Sequence, residues 1–191
     1  GSEMCIRDRA AGEEPARYVV EHKFDGLTLC LTYKEGKLVE AATRGNGVTG
    51  ESILPQALTI RSIPLSVPYQ GLMEVHGECY MKLSTLEKYN RTAAEPLKNA
   101  RNAAAGALRQ LDPEVTRSRH LDAYFYDVNY IEGRSFRTQD EMMDFLRENQ
   151  FPVSDCELRA SDEAGVLAAI TEIEKTRGEL DYMIDLSLIH I

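Results

Sequence analysis

The chain has 191 residues, of which 43% are hydrophobic and 28% charged, and its formal net charge is −9 at pH 7. This length suits one sizeable core. No apolar run reaches the ~20 residues that a membrane span needs. The acidic charge argues against a protein that binds nucleic acid by electrostatics alone. The four cysteines and four histidines lie far apart without metal-ligand spacing, so we expect reduced thiols in a cytoplasmic protein, with no disulfide framework and no metal site.

Both ends of the chain differ in pattern from the rest. Residues 1–9 begin with Gly-Ser and show no periodicity, so we interpret them as a non-native tail. Residues 186–191 are mostly apolar and have no turn or cap, which indicates a non-native or truncated end. We therefore expect the folded domain to comprise residues 10–185.

Three strands are predicted near the start, at residues 17–23, 27–33 and 38–43, and the short turn at residues 34–37 makes the last two an antiparallel hairpin. A Lys-x-Asp-Gly motif separates the first two. Alternation lets Lys23 and Asp25 project together, and Gly26 allows a turn or a close approach to a ligand. A lysine among apolar neighbours loses its proton readily and becomes a nucleophile. The alternative is a salt-bridged lysine beside a turn.

A glycine-rich loop follows the third strand, and residues 45–50 match G-x-G-x-x-G. We reject a Rossmann fingerprint here, because the preceding strand belongs to an antiparallel hairpin whereas that fingerprint needs a βαβ unit. Pro55 also interrupts the helix that should follow. What remains is Arg44 beside free backbone N–H groups, an arrangement that suits contact with phosphate.

The middle of the chain alternates strands and helices. Residues 72–81 read as a strand with Glu74, His76 and Glu78 on one face, either exposed to solvent or, for Glu78, placed to take a sugar hydroxyl. Residues 84–92 read as a helix with a capping box formed by Ser84 and Glu87.

Residues 99–102 open a helix of very small residues, 103–110, on which Arg101 and Arg109 fall near one face. Such a helix either packs closely on a sheet or lets its backbone approach a ligand. It begins the only basic cluster of the sequence, which consists of Lys98, Arg101, Arg109, Arg117, Arg119 and His120.

The pattern in the last third of the sequence predicts a strand at residues 121–130, with Tyr124 and Tyr126 on one face. It also predicts helices at 138–149 and 161–176 and the start of a strand at 180–185. The fold class is therefore α+β, with mostly antiparallel sheets flanked by helices.

Taken together, residues 17–185 resemble the adenylation (nucleotidyltransferase) domain of bacterial NAD-dependent DNA ligases. The long alanine-rich segment separates the chain from ATP-dependent ligases and capping enzymes. The motifs that carry the resemblance are Lys23-Phe24-Asp25-Gly26, Ala42-Thr43-Arg44-Gly45-Asn46-Gly47-Val48-Thr49-Gly50-Glu51, Glu74-Val75-His76-Gly77-Glu78, Asn99-Ala100-Arg101-Asn102-Ala103-Ala104-Ala105-Gly106-Ala107-Leu108-Arg109-Gln110-Leu111-Asp112-Pro113, Phe125-Tyr126 and Phe151-Pro152-Val153-Ser154.

The resemblance implies an ATP-grasp-like nucleotidyltransferase fold and a three-step reaction. A neutral Lys23 amine would attack the α-phosphorus of the NAD adenylate, with Mg²⁺ present, and expel nicotinamide mononucleotide. The AMP would pass to the 5′-phosphate of nicked duplex DNA, and the 3′-hydroxyl would then displace it, as DNA replication and repair require. NAD serves as an AMP donor, so no hydride chemistry is involved. The resemblance also implies a monomer in the bacterial cytoplasm, associated with the nucleoid.

The same resemblance assigns roles to the site residues. Asp25 would orient Lys23 or a metal-bound water, and Glu78 would hold the ribose. The remaining assignments are adenine stacking for Tyr126, reading of the adenine edge for Glu21, and binding of cofactor or DNA phosphates for Arg44, Arg101 and Arg109.

The chain also departs from the family pattern. Leu186 stands where the family has a glycine, and two lysines that should follow are absent, so we expect little or no nick sealing from this chain alone. Three alternatives stay open: an ATP- or GTP-dependent ligase or capping-type nucleotidyltransferase, a non-catalytic nucleic-acid-binding fragment that uses the Lys98–His120 cluster, and a lysine Schiff-base enzyme.

Overall fold

The computed structural model describes residues 17–45 and 50–185. The predicted non-native ends, 1–9 and 186–191, and residues 46–49 of the glycine-rich loop lie outside this described part. The chain divides into two compact units. The larger contains residues 23–154 and 181–185, and the described residues of the smaller are 17–22 and 155–180. Within the described ranges, no helix combines the length and apolar character needed to cross a membrane.

A four-stranded antiparallel sheet forms the centre of the larger unit, in the order β3-β2-β4-β5. The predicted hairpin of β2 and β3 is confirmed, and its turn residues Glu35 and Gly36 have positive φ angles of 51° and 71°, as a tight type I′ connection requires. The strands are β2 (Leu27–Lys34), β3 (Lys37–Thr43), β4 (Met73–Tyr80) and β5 (Asp122–Ile131).

One face of this sheet is apolar and the other is polar, because side chains alternate along each strand. Leu29, Leu31 and Tyr33 of β2 are fully buried, and Met73 and Val75 of β4 join them in the core. Among the described residues of this unit, five helices accompany the sheet: α1 (Leu54–Ala57), α2 (Leu83–Asn90), α3 (Ala100–Leu108), α4 (Pro113–Ser118) and α5 (Gln139–Glu148). The side chains of the opposite, polar face are therefore available for a site.

Side-chain caps fix where α3, α4 and α5 begin. Asn99 accepts a hydrogen bond from the Asn102 backbone N–H at 2.7 Å, and Asp112 accepts one from Glu114 at 2.9 Å, with Pro113 in the first turn of α4. Thr138 caps α5 in the same way. These caps satisfy backbone donors that have no partner inside the helix.

The predicted capping box of Ser84 and Glu87 is wrong. Helix α2 begins at Leu83 after Lys82, which makes no side-chain cap. The Ser84 backbone N–H and hydroxyl instead donate to the two carboxylate oxygens of Asp181, at 2.7 and 2.6 Å. A residue distant in sequence has taken the capping role, because its carboxylate satisfies the free N–H of the first turn.

The described residues of the smaller unit form a two-stranded antiparallel sheet and one long helix. Strand β1 (Tyr18–Glu21) pairs with β6 (Glu157–Ala160), and α6 (Glu163–Thr176) follows, capped by Asp162 and continued by a 3-10 helix at Arg177–Glu179. A Cβ on Gly165 would lie 3.0 Å from that of Ala160, so this glycine allows the helix to approach the strand closely. Strand β6 was not predicted, and the predicted strand at residues 180–185 is reduced to a single bridge between Ile184 and Phe24 in the larger unit.

Candidate functional site

An open cavity of about 450 Å³ lies in the larger unit, where β2 and β4 meet the end of β3 and helix α3. It brings together four of the predicted site residues, three of them arginines. Three cations around a polar cleft suit a ligand that carries phosphate groups. The cavity is lined by Gly26, Leu27, Thr28, Thr43, Arg44, Gly45, Gly50, Glu51, Glu78, Arg101 and Arg109.

The end of β3 holds Arg44 at the rim of this cavity. The Thr43 backbone N–H donates to the Glu51 carbonyl at 3.0 Å, and the Glu51 N–H donates to the Thr43 hydroxyl at 3.1 Å. A Cβ on Gly50 would lie only 1.8 Å from the Thr43 carbonyl oxygen, so the backbone at Gly50 packs directly against the end of β3. The glycine-rich loop is thereby closed tightly at its base, directly beside Arg44.

Arg101 lies in helix α3, and Arg109 directly follows its last residue. The Asn99 cap starts the helix so that Arg101 falls in its first turn. Arg101 Nη1 lies 2.5 Å from Asp25 Oδ1, and this carboxylate raises the pKa of Arg101. Both arginines line the same cavity.

Glu78 is the carboxylate of β4 that faces the cavity, and it lies opposite Thr28 of β2. Burial raises the pKa of Glu78, while the Thr28 hydroxyl, the Gly26 backbone N–H and Arg101 act in the opposite direction. A Cβ on Gly26 would lie 2.1 Å from the Cys79 carbonyl oxygen, so only glycine allows this close contact with β4. Glu78 thus places a carboxyl group in the cleft.

Tyr126 lies at an irregularity of β5. The strand register passes from Phe125, opposite Gly77, to Asp127, opposite His76, and leaves Tyr126 without a partner. Such a bulge re-aims a side chain. The partly exposed ring lies close to Thr28, and burial is the main cause of the raised pKa of Tyr126.

Tyr124, by contrast, is a packing residue. Its ring stacks on Phe24, with centroids 4.2 Å apart, and on Tyr80 at 5.3 Å. Tyr182 completes the cluster at 6.0 Å from Tyr124. This aromatic group packs around the segment that carries Lys23.

The Lys23 segment is held by the chain around residue 184. The Asp185 N–H donates to the Lys23 carbonyl at 2.8 Å, and the Asp25 N–H donates to the Met183 carbonyl at 2.9 Å. Lys23 Nζ lies 3.2 Å from Asp185 Oδ2, and its side chain is 51% exposed. The expectation of an amine enclosed by apolar neighbours is therefore wrong. Lys23 pairs with Asp185, whereas Asp25 pairs with Arg101.

Glu21 belongs to the smaller unit, where it lies opposite Glu157 in the β1–β6 ladder. Its predicted contact with adenine stays a prediction.

Residues of the basic cluster line different cavities. Arg101 and Arg109 line the cavity described above, whereas Arg117 and His120 line a larger cavity of about 640 Å³ elsewhere in the same unit. Arg119 stacks over Tyr89, with its guanidinium carbon 4.1 Å from the ring centroid.

Thr28 and Asp185 were missed as site residues. Thr28 stands two residues after Gly26 on the polar face of β2, so strand alternation alone could have found it. Nothing local marks Asp185, because its partner Lys23 lies 162 positions earlier.

Comparison with known proteins agrees with this geometry. The family model of the NAD-dependent DNA ligase adenylation domain matches residues 3–191. The DNA ligase of Alkaliphilus metalliredigens is 52% identical over 183 residues, which are 96% of this chain and 28% of that protein. The DNA ligase of Alkaliphilus oremlandii is 53% identical over 90% of this chain and 26% of its own length, and that of Finegoldia magna 54% over 88% and 25%. The chain thus spans about a quarter of the length of these relatives. It belongs to the NAD-dependent DNA ligase adenylation domain family.

Proposed function

We propose that this chain performs the first step of NAD-dependent DNA ligation, in which Lys23 becomes covalently bound to AMP. The observation that carries the proposal is the ion pair between Asp25 and Arg101. It ties the Lys23 segment to a cavity that also contains Arg44, Arg109 and Glu78. Lys23 stands three residues before Gly26, which lines this cavity. A nucleophile beside a cleft that would hold phosphates is the arrangement that nucleotidyl transfer needs.

In the proposed step, Nζ of Lys23 forms a bond to the α-phosphorus of NAD, and the bond from that phosphorus to nicotinamide mononucleotide breaks. Nζ must first lose a proton, because a protonated amine has no electron pair to donate. The ion pair holds Nζ against Asp185 Oδ2, so it has to open before the attack. Exposure of the side chain leaves Nζ free to swing from Asp185 towards the cleft.

The cavity residues would bind the nucleotide. The three arginines would neutralise phosphate charge, and Glu78 would accept a hydrogen bond from a ribose hydroxyl. Tyr126, which is not among the lining residues, would stack on adenine. Reading of the adenine edge by Glu21, a residue of the smaller unit, is a separate proposal. Mg²⁺ takes oxygen ligands and is usually held by one or two carboxylates together with substrate phosphates. Asp25 and Glu78 interact electrostatically and supply such oxygens, so the donor set fits, and the ion would add positive charge beside the phosphates.

The later steps belong to the whole ligase. We propose that the AMP passes to the 5′-phosphate of nicked duplex DNA and that the 3′-hydroxyl displaces it, in replication and repair at the bacterial nucleoid. For this chain alone we expect slow adenylation, little nick sealing and a monomer in the cytoplasm. An ATP-grasp-like relationship of the fold is part of the same proposal.

Intact-mass spectrometry after incubation with NAD and Mg²⁺ tests the proposal. The matched control for Lys23→Ala is Lys82→Ala, because Lys82 is 44% exposed and pairs with Asp122 at 2.9 Å. We expect a gain of one AMP in the wild type and in Lys82→Ala, and none in Lys23→Ala.

Retention of the gain in Lys23→Ala would refute the nucleophile, and no gain in the wild type would refute the activity. A gain from ATP but not from NAD would favour the ATP-dependent alternative.

A further inference from the structure

A row of potential metal ligands crosses three strands on the polar face of the central sheet. Cys30 of β2 lies directly opposite His76 of β4, and His76 lies directly opposite Asp127 of β5. Glu74 precedes His76 by two residues, so alternation places it on the same face. None of these four residues lines the 450 Å³ cavity.

The donor atoms of three of these side chains converge. One ligand atom from each of Cys30, Glu74 and His76 lies within 4.8 Å of the others. His76 Nε2 is 3.4 Å from Glu74 Oε1. Tetrahedral zinc, with bonds of about 2.0–2.3 Å, separates its ligands by roughly 3.3–3.8 Å. Small rotamer adjustments would therefore bring the three groups around one ion.

Neighbouring side chains hold two of the three ligands in place. The other nitrogen of His76, Nδ1, lies 3.7 Å from Asp127 Oδ2. A carboxylate on one imidazole nitrogen directs the other nitrogen towards a metal. The Asn129 side-chain amide donates to Glu74 Oε1 at 2.6 Å and fixes that carboxylate. The ligands sit on paired strands, which are more rigid supports than loops.

We propose that Cys30, Glu74 and His76 form a binding site for a divalent metal of the zinc type, with one coordination position open. A thiolate, an imidazole and a carboxylate suit zinc and exclude magnesium and calcium, which prefer oxygen ligands alone. All three side chains are partly exposed, so an ion can enter from solvent. The linear spacing of cysteines and histidines does not reveal the site, because it forms only when β2 and β4 pair.

Cobalt titration of the 191-residue chain tests this site directly, since a thiolate bound to Co²⁺ produces a near-ultraviolet charge-transfer band. We expect one saturable Co²⁺ per chain, displaced by one equivalent of Zn²⁺. Cys30→Ser should abolish the band, whereas Cys156→Ser, which changes a partly buried cysteine of the smaller unit, should leave it intact. Asp127→Asn should keep the band and weaken affinity by about tenfold or more.

Circular dichroism checks whether each variant is folded. If Cys30→Ser is unfolded, Glu74→Gln provides the second test, with an expected loss of affinity of at least about tenfold. A band that survives in Cys30→Ser, affinity unchanged in Glu74→Gln, or no saturable binding by the wild type would overturn the proposal.

Discussion

Replacement of Arg101 by alanine removes the cation that faces Asp25. The two side chains differ in environment, because the Asp25 side chain is 18% exposed and that of Arg101 is 57% exposed. The variant therefore leaves a largely buried carboxylate without this partner. Loss of a partner costs more for a buried charge than for one in water.

The magnitude follows from that asymmetry. A hydrogen bond to a charged group contributes about 1.5–3 kcal/mol, whereas an exposed ion pair contributes about 0–1 kcal/mol. Because Arg101 is screened by solvent and Asp25 is not, we expect Arg101→Ala to lower the free energy of unfolding by about 1–2 kcal/mol. At about 2–4 °C per kcal/mol for a chain of this size, the Tm should fall by about 2–8 °C.

Thermal unfolding followed by circular dichroism measures the effect, with Arg91→Ala as the matched control. Arg91 pairs with Glu87 at 2.7 Å, but these side chains are 72% and 69% exposed, so that variant should keep the wild-type Tm. Asp25→Asn and the double variant complete a cycle that isolates the coupling. Equal Tm values for Arg101→Ala and Arg91→Ala, or simple addition of the Arg101 and Asp25 effects, would refute the reasoning.

Three further predictions concern the cavity and the residues near it. Gly26→Ala forces a Cβ against the Cys79 carbonyl and should lower the free energy of unfolding by about 3 kcal/mol. A Cβ on Gly106 would meet nothing within 4 Å, so Gly106→Ala should raise the free energy of unfolding by about 0.5–1 kcal/mol. Similar urea midpoints for Gly26→Ala and Gly106→Ala would contradict this difference. Burial raises the pKa of Glu78 above its ordinary 4.5, so the free energy of unfolding of the wild type should fall as pH rises through that raised value. Glu78→Gln should remove this fall when unfolding by urea is measured at several pH values. An unchanged pH slope in the variant would count against this role of Glu78. Tyr126→Ala should weaken AMP binding by about 1–3 kcal/mol in calorimetry while Tyr126→Phe retains it, and equal losses would exclude stacking.

Much of the central sheet could be predicted because its strands follow simple patterns. In β2, buried Leu29, Leu31 and Tyr33 alternate with polar residues, and Gly36 marks the hairpin turn. Four predicted site residues line the cavity, and they lie on or next to β3, β4 and α3, elements that the sequence predicts. These residues are Arg44, Glu78, Arg101 and Arg109. Helix α4 was missed although Asp112, a capping residue before a proline, is a standard start signal.

The remainder depends on contacts between distant residues. Strand β6 has only four residues, too few for the alternation of Leu158 and Ala160 with charged residues to mark a strand, so its pairing with β1 has little local signal. The first turn of α2 is capped by Asp181, which accepts a hydrogen bond from the Ser84 N–H although it lies near the other end of the larger unit's sequence. The ion pair of Lys23 with Asp185 likewise arises only when the chain folds.

The most direct test is to locate the AMP group by fragmentation of proteolytic peptides from NAD-treated protein. We predict a single adduct on the peptide that contains Lys23, attached through Nζ. The adduct should be reduced in Arg101→Ala and unaffected in Arg91→Ala. An adduct confined to another lysine, or one spread over several exposed lysines, would contradict the assignment of Lys23 as the nucleophile.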